Sequence, residues 1–105
     1  MIHNKLVRDK IPEIIENNNE KCEVRILNDN EYKLELTKKL LEEANEVKDA
    51  SNEKELIEEL ADLSEVILSI MKANNITYED VNNVRILKKE KRGGFDKKIF
   101  LEKTY

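Results

Sequence analysis

The segment KLLEEANEVKDASNEKELIEELADL, residues 39–63, decides the fold. Its apolar residues recur three and four apart, the period of one helix face, and Ser51–Asn52 punctuate the pattern. It reads as two long helices joined by a short turn. Each helix carries two acids three residues apart: Glu43 and Glu46 on the first, Glu59 and Asp62 on the second. Such positions share a helix face, with Cβ atoms roughly 5–6 Å apart. At 100° per residue with Leu36 at zero, Leu40 falls at about 40°, Val47 at about 20° and Glu43 at about −20°. Glu43 therefore lies inside the apolar stripe, and Glu46 flanks it. On the second helix, with Leu56 at zero, Leu60, Leu63, Ile67 and Ile70 lie within about 40°, and Glu59 lies at about −60°. Asp62 is one step further round. Acids on a core-facing side are costly unless paired, protonated or bound to a cation. Four carboxylates converging with no base among them point to a divalent cation. An oxygen-only donor set suits Mg²⁺, Mn²⁺ or Ca²⁺ rather than zinc. The competing reading is a pair of solvated helix faces, since 40% of the chain is charged against about 25% in ordinary domains.

The motifs LEEANEV (41–47) and EELADL (58–63) resemble the ExxE…ExxD signature of the MazG-like all-α nucleoside triphosphate pyrophosphohydrolases, whose relatives include phosphoribosyl-ATP pyrophosphohydrolase and the dimeric dUTPases. The opening NKLVRDKIPEIIE (4–16) and the closing RGGFDKKIFLEK (92–103) resemble a small single-domain house-cleaning branch of that superfamily. The resemblance implies one such domain over residues 1–105. It also implies Mg²⁺, with Mn²⁺ as a substitute, at Glu43, Glu46, Glu59 and Asp62. The activity implied is hydrolysis of a (d)NTP to (d)NMP and pyrophosphate, clearing non-canonical nucleotides.

The rest of the chain is read outward from the hairpin. Asp9 is expected to cap a first helix, with Lys10, Ile11 and Pro12 in its first turn, ending in Asn17–Asn19. Lys5, Arg8 and Asp9 lie in the opening motif, where they either contact substrate or serve as caps and surface charge. Residues 23–27, EVRIL, read as a short strand. Asn28 and Glu31 have capping-box spacing before a helix over about 29–50. Lys38 and Lys39 can reach a phosphate or pair with Glu42 and Glu43 at i,i+4; spacing favours the pairing, and Lys39 is kept as a substrate candidate. Ser51 is the expected cap of the second long helix, about 53–72, whose VILSIM (66–71) is apolar almost all round. Thr77 and Asp80 open a helix over about 78–91, stopped by Gly93 and Gly94. The alternating KKIFLEK that follows is expected to pair as residues 97–102 with 23–27. The expected fold is thus mainly α: a helical hairpin giving a four-helix-bundle-like core across a homodimer, with a small two-stranded β element.

Composition narrows the function. Two Gly and one Pro argue against a sandwich or a loop-rich fold. With three Tyr, two Phe and no Trp, a single-chain core is modest, so the broad apolar faces are expected to be covered by further copies, as a dimer or tetramer. No run reads as a signal peptide or a membrane span, and the single Cys22, read as a packing residue, fits a reducing cytoplasm. A net charge of −4 gives no reason to expect stable nucleic-acid binding. The charge is uneven, however: residues 85–98 carry seven bases against two acids, +5, which leaves −9 elsewhere. A basic segment of that kind can hold phosphates. Lys91, Arg92, Gly93 and Gly94 are the candidates, with Phe95 stacking on a base or anchoring the turn. No GxxxxGK[ST] is present, and the lone His3 leaves no credible Ser–His or Cys–His pair. Glu43, or the neighbouring Glu42 and Glu58, would orient or deprotonate the attacking water. Two other readings stand beside this one: a phosphoribosyl-nucleotide pyrophosphohydrolase, and a non-catalytic helical interaction module.

Overall fold

A computed structural model describes residues 1–105 as four helices: α1 (Ile11–Asn17), α2 (Asp29–Asp49), α3 (Glu53–Ala73) and α4 (Tyr78–Arg92). Two compact units divide the chain, Met1–Asn75 and Ile76–Tyr105.

In the first unit α2 and α3 pack against each other as the hairpin. Local chemistry sets their ends. Asn28 caps α2 by accepting from the Glu31 N–H at 2.9 Å, and the Glu31 carboxylate accepts from the Asn28 N–H at 3.4 Å. Arg25 donates to both Glu31 oxygens, at 3.0 and 3.3 Å. At the turn the cap of α3 is Asn52, not Ser51. Ser51 instead donates from its hydroxyl and N–H to Glu55 Oε2, at 2.8 and 3.0 Å. α1 likewise starts one residue later than expected, on Lys10, which makes no side-chain cap bond.

Only Leu36 and Val66 are buried. On α2 the inward residues are the expected ones, with Leu40, Glu43 and Val47 half-buried around Leu36. On α3 the inward face differs from the expected stripe. Glu59, Leu63 and Ile70 are half-buried around Val66, while Leu56, Leu60 and Ile67 are 38%, 45% and 39% exposed. That is a rotation of about 70° on the helical wheel. α3 is apolar on more than one side, so period alone could not say which side meets α2. The rotation brings Glu59 close to the middle of the contacting face and leaves a second apolar strip uncovered.

The two-stranded β element is absent. Residues 23–27 and 97–102 form no ladder. A strand is stabilised by cross-strand pairs, and alternation records only a preference for them. Ile26 is 93% and Ile99 82% exposed. Arg25 is committed to Glu31, and Lys98, at φ 59°, turns the backbone out of the extended region at the start of the second segment. Within one chain the packed core is thus the two-helix hairpin, with no sheet beside it.

In the second unit, α4 is held by local devices. Thr77 and Asp80 form a capping box, at 3.1 Å in both directions, and no α4 residue is buried. Gly93, at φ 83° and ψ 174°, ends the helix in a region essentially reserved for glycine. No helix is long and apolar enough to cross a membrane.

Candidate functional site

The hairpin brings Glu43, Glu59 and Asp62 together, with one oxygen from each within 4.8 Å of the others. All three are half-buried. Burial raises the Glu43 carboxyl above the ordinary glutamate range, with the Asp62 charge adding to it and Lys39 partly offsetting it. Glu59 is raised as well, first by burial, then by the charges of Glu46 and Asp62. These are the signs of negative charge crowded into a seam that solvates it poorly.

Glu46 stands outside the group of three and is exposed, although its charge is felt at Glu59. Glu42 is exposed and paired with Lys39 at 3.6 Å. Lys38 pairs with Glu35 at 3.0 Å, so both lysines bridge at i,i+3 rather than the expected i,i+4. Glu58 is exposed beside Glu59. Lys5 is exposed in the lead-in segment. Arg8 crosses 54 residues of sequence to donate from Nη2 to Asp62 Oδ1 at 2.8 Å. Nothing local in the sequence signals that pair.

The second unit holds a separate feature. An open cavity of about 680 Å³ is lined by Arg85, Lys88, Lys89 and Arg92 with Gly93, Gly94, Phe95 and Asp96. Lys91, expected there, is not among them, whereas Arg85, Lys88 and Lys89 join. Their spacing of three, four and seven from Arg85 to Arg92 is one helix face, a signal present in the sequence and hidden by counting the segment only for charge. Phe95 is 97% exposed and therefore does not anchor a core.

The sequence profile of the phosphoribosyl-ATP pyrophosphohydrolase family matches residues 6–89. The match spans Arg8, both acidic pairs and the two helices that carry them. No curated protein and no solved structure gives a significant match. With most of its length covered by that profile, and with its acids gathered on the paired helices inside it, the chain belongs to the phosphoribosyl-ATP pyrophosphohydrolase family and is a hydrolase of phosphoric anhydrides.

Proposed function

We propose that the chain hydrolyses a nucleoside triphosphate, (d)NTP, at the α–β anhydride, giving the (d)NMP and pyrophosphate, with Mg²⁺ at the α2–α3 seam and Mn²⁺ able to replace it. The observation that carries this reading is the group of Glu43, Glu59 and Asp62 within 4.8 Å, inside the family match. The donors fit a hard divalent cation: they are oxygens alone, and the charge crowding at Glu43 and Glu59 is what such an ion would relieve. Glu43, Glu59 and Asp62 would hold it, with Glu46 as a further donor. When bound, the ion neutralises polyphosphate oxygens and lowers the pKa of a water. Glu42 or Glu58, the acids flanking the cluster, would orient that water and take its proton; the Lys39 pair on Glu42 favours Glu58. The water oxygen bonds to the α-phosphorus, and pyrophosphate departs with the electrons of the broken P–O bond. Lys5 remains a substrate contact in this reading, and Lys39 would have to leave Glu42 to become one. The α4 cavity residues Arg92, Gly93, Gly94 and Phe95 suit an anionic group with a flat base.

The uncovered strip of Leu56, Leu60 and Ile67 on α3 supports self-association, since apolar area of this kind on successive turns is normally covered. A homo-oligomer in the cytoplasm, clearing non-canonical nucleotides, is the setting proposed. A second reading, hydrolysis of phosphoribosyl-ATP, is favoured by the match to a family named for that substrate.

A substrate panel decides between them. Normal and modified (d)NTPs and phosphoribosyl-ATP are incubated with Mg²⁺, and products are identified by mass spectrometry. The expected result is a nucleoside monophosphate with equimolar pyrophosphate. Orthophosphate release would overturn the cleavage position. Turnover of phosphoribosyl-ATP alone would replace the first reading by the second. An absence of turnover on every substrate would overturn both substrate readings.

A further inference from the structure

Among the three clustered acids, only Asp62 has an ion-pair partner, and it is Arg8. The pair is a single bond from one guanidinium nitrogen to one carboxylate oxygen, at 2.8 Å, with the two side chains 59% and 44% exposed. Solvent-exposed pairs of this kind are weak and exchange readily. A cation that binds Asp62 more strongly can therefore take the place of the guanidinium. The backbone behind it is better fixed than the head group, since Leu6 and Val7 on one side and Ile11 and Pro12 on the other are half-buried.

We propose that Arg8 is a built-in counter-cation of the acidic seam, that a divalent metal competes with it for Asp62, and that loading the metal releases the guanidinium to take a phosphate of the substrate. The proposal rests on the metal reading given above. A divalent ion carries twice the charge of the guanidinium and can draw on Glu43 and Glu59 as well, whereas Arg8 reaches Asp62 alone. The released fork of N–H groups matches a phosphate in two parallel bonds, which a lysine at the same place would not do. Arg8 thus acts first on the protein's own carboxylate and then on the substrate. The exchange favours phosphate binding by Arg8 once the metal is in place.

The test is calorimetric titration of the full chain with MgCl₂ alone, without nucleotide, in wild type, Arg8→Gln, Lys5→Gln and Glu43→Gln. Arg8→Gln is expected to bind Mg²⁺ up to about fivefold more tightly than wild type, equivalent to about 1 kcal/mol at 1.4 kcal/mol per tenfold. Lys5→Gln removes the same charge from the same segment and is expected to shift affinity by less than half as much. In the unmutated protein, adding Mg²⁺ should move the Arg8 Nε–Hε NMR signal to the position it has in Asp62→Asn, a readout that needs no mutation at Arg8. An unchanged or weakened Mg²⁺ affinity in Arg8→Gln, or an Arg8 signal that ignores Mg²⁺, overturns the exchange while Glu43→Gln still reports a metal site. Equal tightening in Lys5→Gln also overturns it, because the effect would then be general charge. Failure of wild type to bind Mg²⁺ at all would remove the metal site, and the exchange with it.

Discussion

The α2–α3 hairpin and the α4 segment solve the same problem by opposite means. The hairpin has a packed seam with Leu36 and Val66 at its centre, and it places acids against that seam. α4 buries no residue; it is held by its capping box and its glycine stop, and it gathers bases on one face. Packing holds these acids half-buried and close together, so part of their hydration is lost and their charges act on one another. Capping holds a helix without shielding anything, so its charges stay in water and suit an anion bound reversibly at the surface. One region thus gathers acids on a packed seam, and the other gathers bases on an exposed helix face.

Substitutions can break this contrast. The largest effect is expected from Leu36→Ala, a loss of about 3 kcal/mol in urea unfolding followed by circular dichroism, because it removes the most buried side chain of a small seam. A loss below about 1 kcal/mol would mean that the hairpin is not held by packing. Next comes Glu43→Gln, which removes charge with little change of shape. Pyrophosphate release should fall about a hundredfold or more, close to 2.7 kcal/mol of barrier, while the helical spectrum is kept. Thr77→Ala should cost about 1 kcal/mol and a measurable fraction of α4 helicity, since the cap is one of the few things fixing that helix. If Thr77→Ala were silent, α4 would have to be held by contacts rather than by its own end.

The smallest effect concerns pH. Glu43 and Glu59 hold protons more tightly in the folded chain than an ordinary glutamate does. Above the ordinary value of about 4.3, the folded state therefore binds more protons than the unfolded one. Their contribution to stability is complete below that value and is lost as pH rises through their raised folded values. Glu31 and Glu55 slope the other way. Arg25 holds the first carboxyl low and the Ser51 N–H and hydroxyl hold the second low, so their stabilisation is present above the ordinary value and lost as pH falls. Subtracting Glu43→Gln from wild type isolates Glu43. In metal-free buffer near pH 7 the variant should melt on the order of 2 °C higher, and the difference should vanish below about pH 4. A lower melting temperature for the variant at neutral pH would show that Glu43 is not in a crowded seam.

What could be read from the sequence follows the range of the interaction. Helix ends were legible where the signal sits within three residues, as at Asn28–Glu31 and Thr77–Asp80. At the hairpin turn two adjacent cappers were available; Asn52 accepts from the Glu55 N–H, and Ser51 donates to the Glu55 carboxylate instead. The β element failed because alternation in 23–27 and 97–102 shows a preference for pairing and names no partner. Of the four acids picked out by spacing, Glu43, Glu59 and Asp62 gather and Glu46 does not, and Glu59 sits nearer the α2-facing side than the wheel implied because α3 has two apolar sides. Arg8–Asp62 had no signature, since an ion pair across 54 residues is decided by the assembled fold alone.

The two glycines that follow α4 are not equivalent. Gly93 holds a backbone geometry that a side chain resists even though open space surrounds it, whereas a Cβ on Gly94 would make ordinary contact with Lys89 at 3.6 Å. A library randomised at both codons and selected for folded protein should return glycine at the first and small residues freely at the second. The first glycine marks a direction the polypeptide must take, and the second marks spare room that protein engineers could fill.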